Sequence, residues 1–523
     1  MVDAGPGTEI LRLRDDFPPV STPDWETAIR KDLKGVDYDK KLVWRSDEGV
    51  AVRPYYRSED VTDASPLTGA VPGGADPLVR ASATDALRME NQASRNPSRP
   101  ARGPAADQGS ALPFPFPFVR GSGKAWETAQ LEAPQPGAIR ADRFHEAGAS
   151  VVQELGYAIA AGVERLGELT ATNAPVDRAA REIEFVFATG STFFFEIAKL
   201  RAARWLWAQA VSAFEPKEEA SCLMRIRART PRLNKSIYDP YTNLLRVTTE
   251  AMSAVIGGCE HLTVEPFGFD PRLAMGVQRI LREEAHLDAV ADPAGGSYFV
   301  EALTDSLAQQ GWKLFQQVEA EGGFRHALES GSLAAALAVT RAARQKAVSS
   351  RRRTLVGVNN YPDLLEKVPD AAPAPPESGN PLPQVRLAEP FERIRARSAL
   401  HVWRIGRYPQ VLLLKRGDVK MSMARANFSF NFFGCAGFDI VQSAEYAHQN
   451  PDLIVLCSSD PEYLALAQEV CPQVSAPVIV AGNPKDLIEP LKAAGVQGFV
   501  HVMSDAVETL TQWQDRLGME PLP

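Results

Sequence analysis

Small and polar residues follow several short apolar runs near the end of the chain, and they are the first candidates for ligand contact. The runs at 410–414, 453–457 and 477–481 have the length and composition of buried parallel strands. Because ligands of open parallel sheets bind outside the carboxyl ends of the strands, the residues after these runs mark a predicted site. These residues are Gly417, Ser458, Ser459, Gly482 and Asn483.

The residue types that perform catalysis or bind metals are present but scattered. The 7 histidines and 5 cysteines form no triad, metal-ligand or Cys-x-x-Cys spacing, and no Gly-rich phosphate loop follows a predicted strand. We therefore predict no catalytic residue and no metal site. We expect the histidines to be structural or to lie on the surface, and the cysteines to be reduced. The histidines are His145, His261, His286, His326, His401, His448 and His501, and the cysteines are Cys222, Cys259, Cys435, Cys457 and Cys471.

Length and composition predict an acidic protein of several domains. The chain has 523 residues, 45% of them hydrophobic, and carries 57 basic against 65 acidic residues for a net charge of -8. This balance argues against a nucleic-acid or membrane surface as partner. No apolar run reaches the ~18 residues of a membrane span, and the first residues resemble neither a secretory signal nor a transit peptide. We expect a cytoplasmic location.

A strand followed by a helix recurs three times between residues 182 and 300. Predicted strands begin at 182, 222 and 261, about forty residues apart, and each is followed by a helical pattern. The second helix begins at Asp239-Pro240, with Asp as N-cap and Pro as the first helical residue. Alternating strands and helices predict a parallel sheet or barrel of right-handed crossover units.

The remaining regions differ in composition. Residues 1–57 predict an arm with a helix from Asp24 and a hairpin around Asp47-Glu48-Gly49. Residues 58–112 are rich in Ser, Pro, Ala and Gly and predict a loop or disorder, and the Pro-Phe alternation at 113–118 predicts an extended segment.

Six prolines at 369–383 indicate a domain boundary before a charged helix at 386–404. Beyond it, five apolar runs, which include 438–441 and 498–502, predict a flavodoxin-like sheet.

Several long segments resemble methylmalonyl-CoA mutases. They are RFHEAGA at 143–149, ATG at 188–190, EIAKLRA at 196–202, DPYTNLLRVTTEA at 239–251, VADPAGGSY at 290–298 and LVGVN at 355–359. The resemblance implies an α/β protein with a TIM-type (β/α) barrel followed by a flavodoxin-like, cobalamin-binding-type domain. The boundaries that follow are an arm at 1–57, a low-complexity segment at 58–112, the barrel at 113–365, a linker and helix at 366–404 and the last domain at 405–523.

The chain departs from that family in three places. One is in the barrel, where Arg227 stands at the position of a His that hydrogen-bonds the substrate carbonyl in the active mutase chain. Between residues 130 and 143 a short Pro-Gly connection stands where the family has several strand and helix units, so we expect a shortened barrel. In the family, the loop after the first strand of the last domain carries Asp-x-His-x-x-Gly, whose histidine ligates cobalt. Here Val419, Met421 and Ala424 stand at those three positions. A thioether is a weak ligand and Val accepts no hydrogen bond, so we expect no cobalt ligation.

The resemblance and its departures predict the small, catalytically silent subunit of an adenosylcobalamin-dependent methylmalonyl-CoA mutase. A larger catalytic subunit would hold the cobalamin and convert the acyl-CoA, and Gly417, Ser458, Ser459 and Gly482 would form a vestigial cofactor site. The arm at 1–57 would wrap the partner or pack on its own barrel. An independently active acyl-CoA mutase and a non-enzymatic partner or regulator of a cobalamin enzyme are the alternative predictions.

Overall fold

A computed structural model of the chain describes residues 20–46, 49–60, 127–128, 134–290, 292–366, 382–447 and 449–522. The chain divides into two compact units, Met1–Ser58 and Glu59–Pro523. The predictions for residues 1–19, 47–48, 61–126, 129–133, 367–381, Ala291 and His448 lie outside the described residues.

The first unit contains two short helices and a hairpin. They are α1 (Thr22–Asp32), α2 (Tyr38–Leu42), β1 (Trp44–Arg45) and β2 (Ala51–Val52). The antiparallel pairing of Trp44 with Val52 confirms the predicted hairpin. Trp25 of α1 stacks on Tyr55 with ring centroids 5.3 Å apart, yet neither helix has a buried residue. This unit therefore holds very little core of its own.

In the second unit the first group of elements alternates strand with helix. The strands are β3 (Glu127–Thr128), β4 (Ile139–Arg140), β5 (Glu184–Ala188), β6 (Arg225–Arg229) and β7 (His261–Thr263). The helices are α3 (Asp142–Glu146), α4 (Val151–Ala171), α5 (Val176–Glu182), α6 (Phe193–Ser212), α7 (Pro240–Ile256), α8 (Pro271–Arg279), α9 (Tyr298–Ala320), α10 (Phe324–Glu329) and α11 (Ser332–Ser349).

These five strands form one parallel sheet in the order β3-β7-β6-β5-β4. Apolar side chains of β5 pack on the surrounding helices, where Phe185 meets Trp207 of α6 edge to face at 4.8 Å. Gly162 of α4 lies so close to Phe185 that a Cβ there would be 2.6 Å from its ring. Large aromatic groups and a close helix therefore fix one face of the sheet.

The second sheet is built from the last part of the chain. Its strands are β8 (Gln410–Lys415), β9 (Asp439–Ser443), β10 (Leu453–Cys457), β11 (Val478–Ala481) and β12 (Val496–Val500), and its helices are α13 (Val419–Gly434), α14 (Tyr463–Val470), α15 (Ile488–Ala493) and α16 (Ala506–Arg516). All pairings are parallel, in the order β12-β11-β10-β8-β9. Both faces are apolar and buried, as the continuous apolar runs predict.

Helix α12 (Glu389–Ile405) joins the two sheets. Phe391 and Ile394 belong to the same buried apolar cluster as Val411 of β8 and Leu233 from the loop after β6. The amide of Leu387 donates to the carbonyl of Leu233 at 2.8 Å. One hydrophobic core therefore extends from the loop after β6 to the second sheet through α12.

Three predicted boundaries in the first group are shifted. The strand predicted from residue 182 begins at Glu184, because Val176–Glu182 is helical. The strand predicted from Cys222 begins at Arg225, because Glu219–Cys222 forms a 3-10 helix whose Ser221 donates to Asp177. The helix predicted from Asp270 to about Leu287 is α-helical only to Arg279 and continues as a π-helix over Ile280–Glu284.

Candidate functional site

The predicted site residues come together at the carboxyl edge of the second sheet. Gly417 follows β8, Ser458 and Ser459 follow β10, and Gly482 follows β11. From β8 the chain passes first to β9 on one side and then to β10 on the other. The gap between the ends of β8 and β10 is therefore the topological switch point, the default position for a ligand in such a sheet.

The carboxylate of Glu462 fills this gap. The hydroxyls of Ser458 and Ser459 each donate to its Oε2 at 2.6 Å, and the amides of Ser459 and Asp418 donate at 3.1 Å. Gly417 lies against the same group, since a Cβ at Gly417 would be 2.2 Å from Oε2. The polar groups that the sequence predicts for a ligand are thus bonded to a side chain of the protein itself.

These hydrogen bonds strongly favour the ionised form of Glu462. The hydroxyls of Ser458 and Ser459, followed by the amides of Asp418 and Ser459, lower the pKa of Glu462 from its usual 4.5 to about 2. Glu462 therefore remains a carboxylate, and an acceptor only, at any physiological pH.

The neighbouring part of the edge, toward β11, is bridged as well. The guanidinium of Arg425, from α13, reaches Asp460 at 3.2 Å and lies beside Gly482, where a Cβ would be 3.4 Å from its Cζ. The hydroxyl of Tyr463 donates to the carbonyl of Ala481 at 2.6 Å and accepts from the amide of Ser458 at 3.2 Å. Side chains of α13 and α14 thus connect the ends of β10 and β11.

Helix α13 begins directly at the positions where a cobalt ligand is expected from the resemblance. Asp418 is its N-cap and accepts from the amide of Met421 at 2.7 Å, so Val419 and Met421 lie in the first turn. Val419 is 76% exposed and faces solvent. Among the described residues, no group of three or more His, Cys, Asp or Glu could hold a metal ion.

Ion pairs cross the carboxyl edge of the first sheet, the edge that carries the active site in β/α barrels. Arg140, at the end of β4, makes two hydrogen bonds to Asp142 at 2.6 and 2.8 Å. Arg229, at the end of β6, contacts Asp142 at 3.1 Å and also pairs with Glu265, which binds Arg232 at 2.9 Å. Positive and negative groups alternate along this edge and neutralise one another.

A buried polar cluster lies under the end of β5. Glu154 of α4 accepts from the amide of Ala188 at 2.8 Å and from Lys199 at 2.7 Å, and lies 3.2 Å from His145 Nδ1. Lys199 also pairs with Glu196 at 2.6 Å. Burial lowers the pKa of His145 to about 3, whereas for Lys199 the lowering by burial is outweighed by the two carboxylates, which raise its pKa. These groups hold the strand end to α4 and α6.

Sequence reasoning missed Glu462 and Arg425, the two side chains that close the carboxyl edge of the second sheet. Ser459 and Glu462 have the spacing of a capping box, and the structure forms one at the start of the Asp460–Glu462 turn. That pattern could have placed the Glu462 carboxylate beside Ser459. Nothing near Arg425 in the sequence indicates that it reaches a loop following another strand.

Comparison with known proteins gives consistent matches. A family model described as methylmalonyl-CoA mutase matches residues 119–384, about half of the chain. A methylmalonyl-CoA mutase small subunit of Porphyromonas gingivalis is 32% identical over 616 aligned positions, which cover 97% of this chain and 99% of the relative. Because 616 positions exceed the 523 residues of this chain, that relative has segments without a counterpart here.

Two further relatives match over shorter regions. A methylmalonyl-CoA mutase small subunit of Streptomyces virginiae is 36% identical over 72% of this chain, and the match covers 63% of that relative, less than two thirds of its length. A methylmalonyl-CoA mutase of Escherichia coli is 33% identical over 45% of this chain and 34% of the relative. Within the described residues, no helix has the length and apolar character needed to cross a membrane.

Proposed function

Because the chain belongs to the methylmalonyl-CoA mutase family and resembles its small subunits, we propose that it is the catalytically silent small subunit of an adenosylcobalamin-dependent mutase. That mutase interconverts methylmalonyl-CoA and succinyl-CoA. A larger subunit binds the cobalamin, which supplies the radical chemistry, and binds the acyl-CoA. The small subunit forms a heterodimer with it in the cytoplasm, in keeping with five free cysteines.

One observation carries the silent role: Met421 stands in the first turn of α13, where the family places its cobalt ligand. A thioether is a weak ligand for cobalt, and Val419 cannot orient a ligand by accepting a hydrogen bond. The bridges at the strand ends agree with this loss, because the residues present do not fit a corrinoid. The ion pairs at the edge of the first sheet agree with a silent role, because the charged groups described there are paired with one another.

We interpret the first sheet as a TIM-type barrel that lacks three consecutive strand and helix units. In a closed barrel the first strand pairs with the last, and the others pair with their neighbours in sequence. Here β3, the first strand, pairs with β7, the last, and β4 to β7 pair consecutively. β3 and β4 do not pair, and the missing units belong between them.

We interpret the second sheet as the flavodoxin-like, cobalamin-binding-type domain. In chain order its strands are arranged 2-1-3-4-5, with every pairing parallel. This order supports a flavodoxin-like fold. The sites Gly417, Ser458, Ser459 and Gly482 are then vestiges of a cofactor site.

The proposal is tested by purifying a tagged copy of the chain from its native host, followed by size-exclusion chromatography and an absorption spectrum of the peak. We expect a larger mutase chain in equal amount, together with corrinoid absorbance. The purified single chain should show neither turnover nor corrinoid. A single chain that carries corrinoid would indicate an independent mutase. A single chain without corrinoid or a stoichiometric partner would indicate an interaction protein, and either result would overturn the proposal.

A further inference from the structure

We infer that Glu462 is an internal plug that occupies the switch point between β8 and β10 and excludes a corrinoid from this chain even where a cobalt ligand is supplied. The inference rests on the proposed function in one respect, because that function identifies the excluded ligand as a corrinoid. It adds a second barrier to the missing histidine, and the two barriers are separable by mutation.

The first argument is space. Gly417 has a φ of 73°, a left-handed conformation that suits glycine, and it brings the loop after β8 up to the Glu462 carboxylate. The site of a Cβ on Gly417 lies 2.2 Å from Oε2 and 2.5 Å from Oε1 of Glu462. The loop after β8 and the turn after β10 are therefore in contact through this carboxylate. No atom of a ligand can enter between them while Glu462 keeps its position.

The second argument is that the hydrogen-bond donors around the gap are already bonded to Glu462. Both serine hydroxyls and the amides of Ser459 and Asp418 point at the Glu462 carboxylate. Ser458 is completely buried and its hydroxyl also contacts the carbonyl of Arg416 at 2.8 Å. A polar ligand that entered the gap would have to break charge-assisted hydrogen bonds, which are stronger than neutral ones.

A capping box alone does not account for these contacts. That motif requires only the exchange between Ser459 and Glu462. It explains neither the hydrogen bond from Ser458, at the end of β10, nor the one from Asp418, at the start of α13. These extra bonds join two separate strand and helix units, which is the expected effect of a plug and not of a helix cap.

The test restores the cobalt-binding motif and then removes the plug. In the full chain, Val419→Asp, Met421→His and Ala424→Gly supply the ligand and its orienting group. This triple variant is compared with the same variant carrying Glu462→Ala, using hydroxocobalamin as probe in equilibrium dialysis. We expect the triple variant to bind no better than wild type, and the variant without the plug to bind at least about tenfold tighter. Equal binding by both variants, or no binding by either, would falsify the plug.

Control variants distinguish a folding defect from a change in the access of hydroxocobalamin to the gap. Glu469→Ala removes a glutamate of α14 that is half exposed and pairs with Arg416 at 3.9 Å, and it should leave the triple variant unable to bind. Glu462→Asp retracts the carboxylate by one methylene and replaces Glu462→Ala if that variant fails to give a wild-type circular dichroism spectrum. It should open the gap in the same direction. Tight binding of hydroxocobalamin by the wild-type chain would instead refute the silent role, so the two failures are distinguishable.

Discussion

Buried charges in this protein occur in groups that satisfy one another. Lys199 is fully buried, yet it contacts Glu154 and Glu196 within 2.7 Å. Arg201 is equally enclosed and binds Glu301 at 2.8 Å. An isolated buried charge would be very costly, whereas a paired one is tolerated and holds its neighbours in one arrangement. Each group joins elements that are distant in sequence, so these groups position the helices around the first sheet.

His145 should make the stability of the protein depend on pH. Its pKa is about 3 in the folded state, whereas an unperturbed histidine titrates at 6.5. Between these values the unfolded chain binds a proton that the folded chain does not, so stability falls as pH decreases from 6.5 toward 3. We predict that His145→Gln removes up to about 1.4 kcal/mol per pH unit from this slope.

Urea unfolding at several pH values between 7 and 5 measures that slope. The control is His326→Gln, which makes the same substitution at an exposed histidine of α10. Identical slopes for wild type and His145→Gln would show that His145 takes up a proton in the folded protein.

At the scale of elements, the stability of helix α7 depends on its N-cap residue, Asp239. Asp239 has a φ of 50°, accepts from the amide of Thr242 at 3.1 Å and precedes Pro240. We predict that Asp239→Ala costs about 2 kcal/mol, because it removes the cap and leaves a Cβ in the left-handed region without a compensating hydrogen bond. Asp239→Gly should cost less than about 1 kcal/mol, since glycine adopts this conformation freely. Chemical unfolding of both variants checks the order, and Asp239→Asn serves as the conservative control.

The elements with strong local signals were predicted well. The strand Leu453–Cys457 is a continuous apolar run, and α7 has both an N-cap and a proline, so local physics fixes their positions. Arg225–Arg229 was misplaced by three residues because Glu219–Cys222 forms a 3-10 helix whose Ser221 binds Asp177, a contact that only the folded chain provides. Glu462 could not be assigned to Asp418 from sequence, because that contact depends on strand order. The sequence therefore allows the site to be predicted at the strand ends. It does not allow the side chains that close this site to be predicted.

At the scale of the whole second unit, α12 couples the two sheets. Gln514 of α16 donates to the carbonyl of Ile394 at 2.7 Å, and Glu392 accepts from the amide of Ile237, in the loop after β6, at 2.9 Å. The helix thus has partners on both sides, in addition to its place in the shared apolar cluster. The predicted boundary between residues 404 and 405 would assign it to a linker, and the two sheets would then unfold separately.

A substitution of Phe391 tests whether the two sheets unfold together or separately. It is 1% exposed in the shared cluster, so Phe391→Ala should cost about 3–5 kcal/mol through lost burial and a residual cavity. We predict that hydrogen exchange then accelerates both in β10 and in the segment around Leu233, because the cluster contains residues of both. Trp403→Ala, at an 82% exposed position of the same helix, should change stability by no more than about 0.5 kcal/mol. Acceleration confined to β8–β12 would instead mean that the second sheet opens independently and that α12 belongs to it alone.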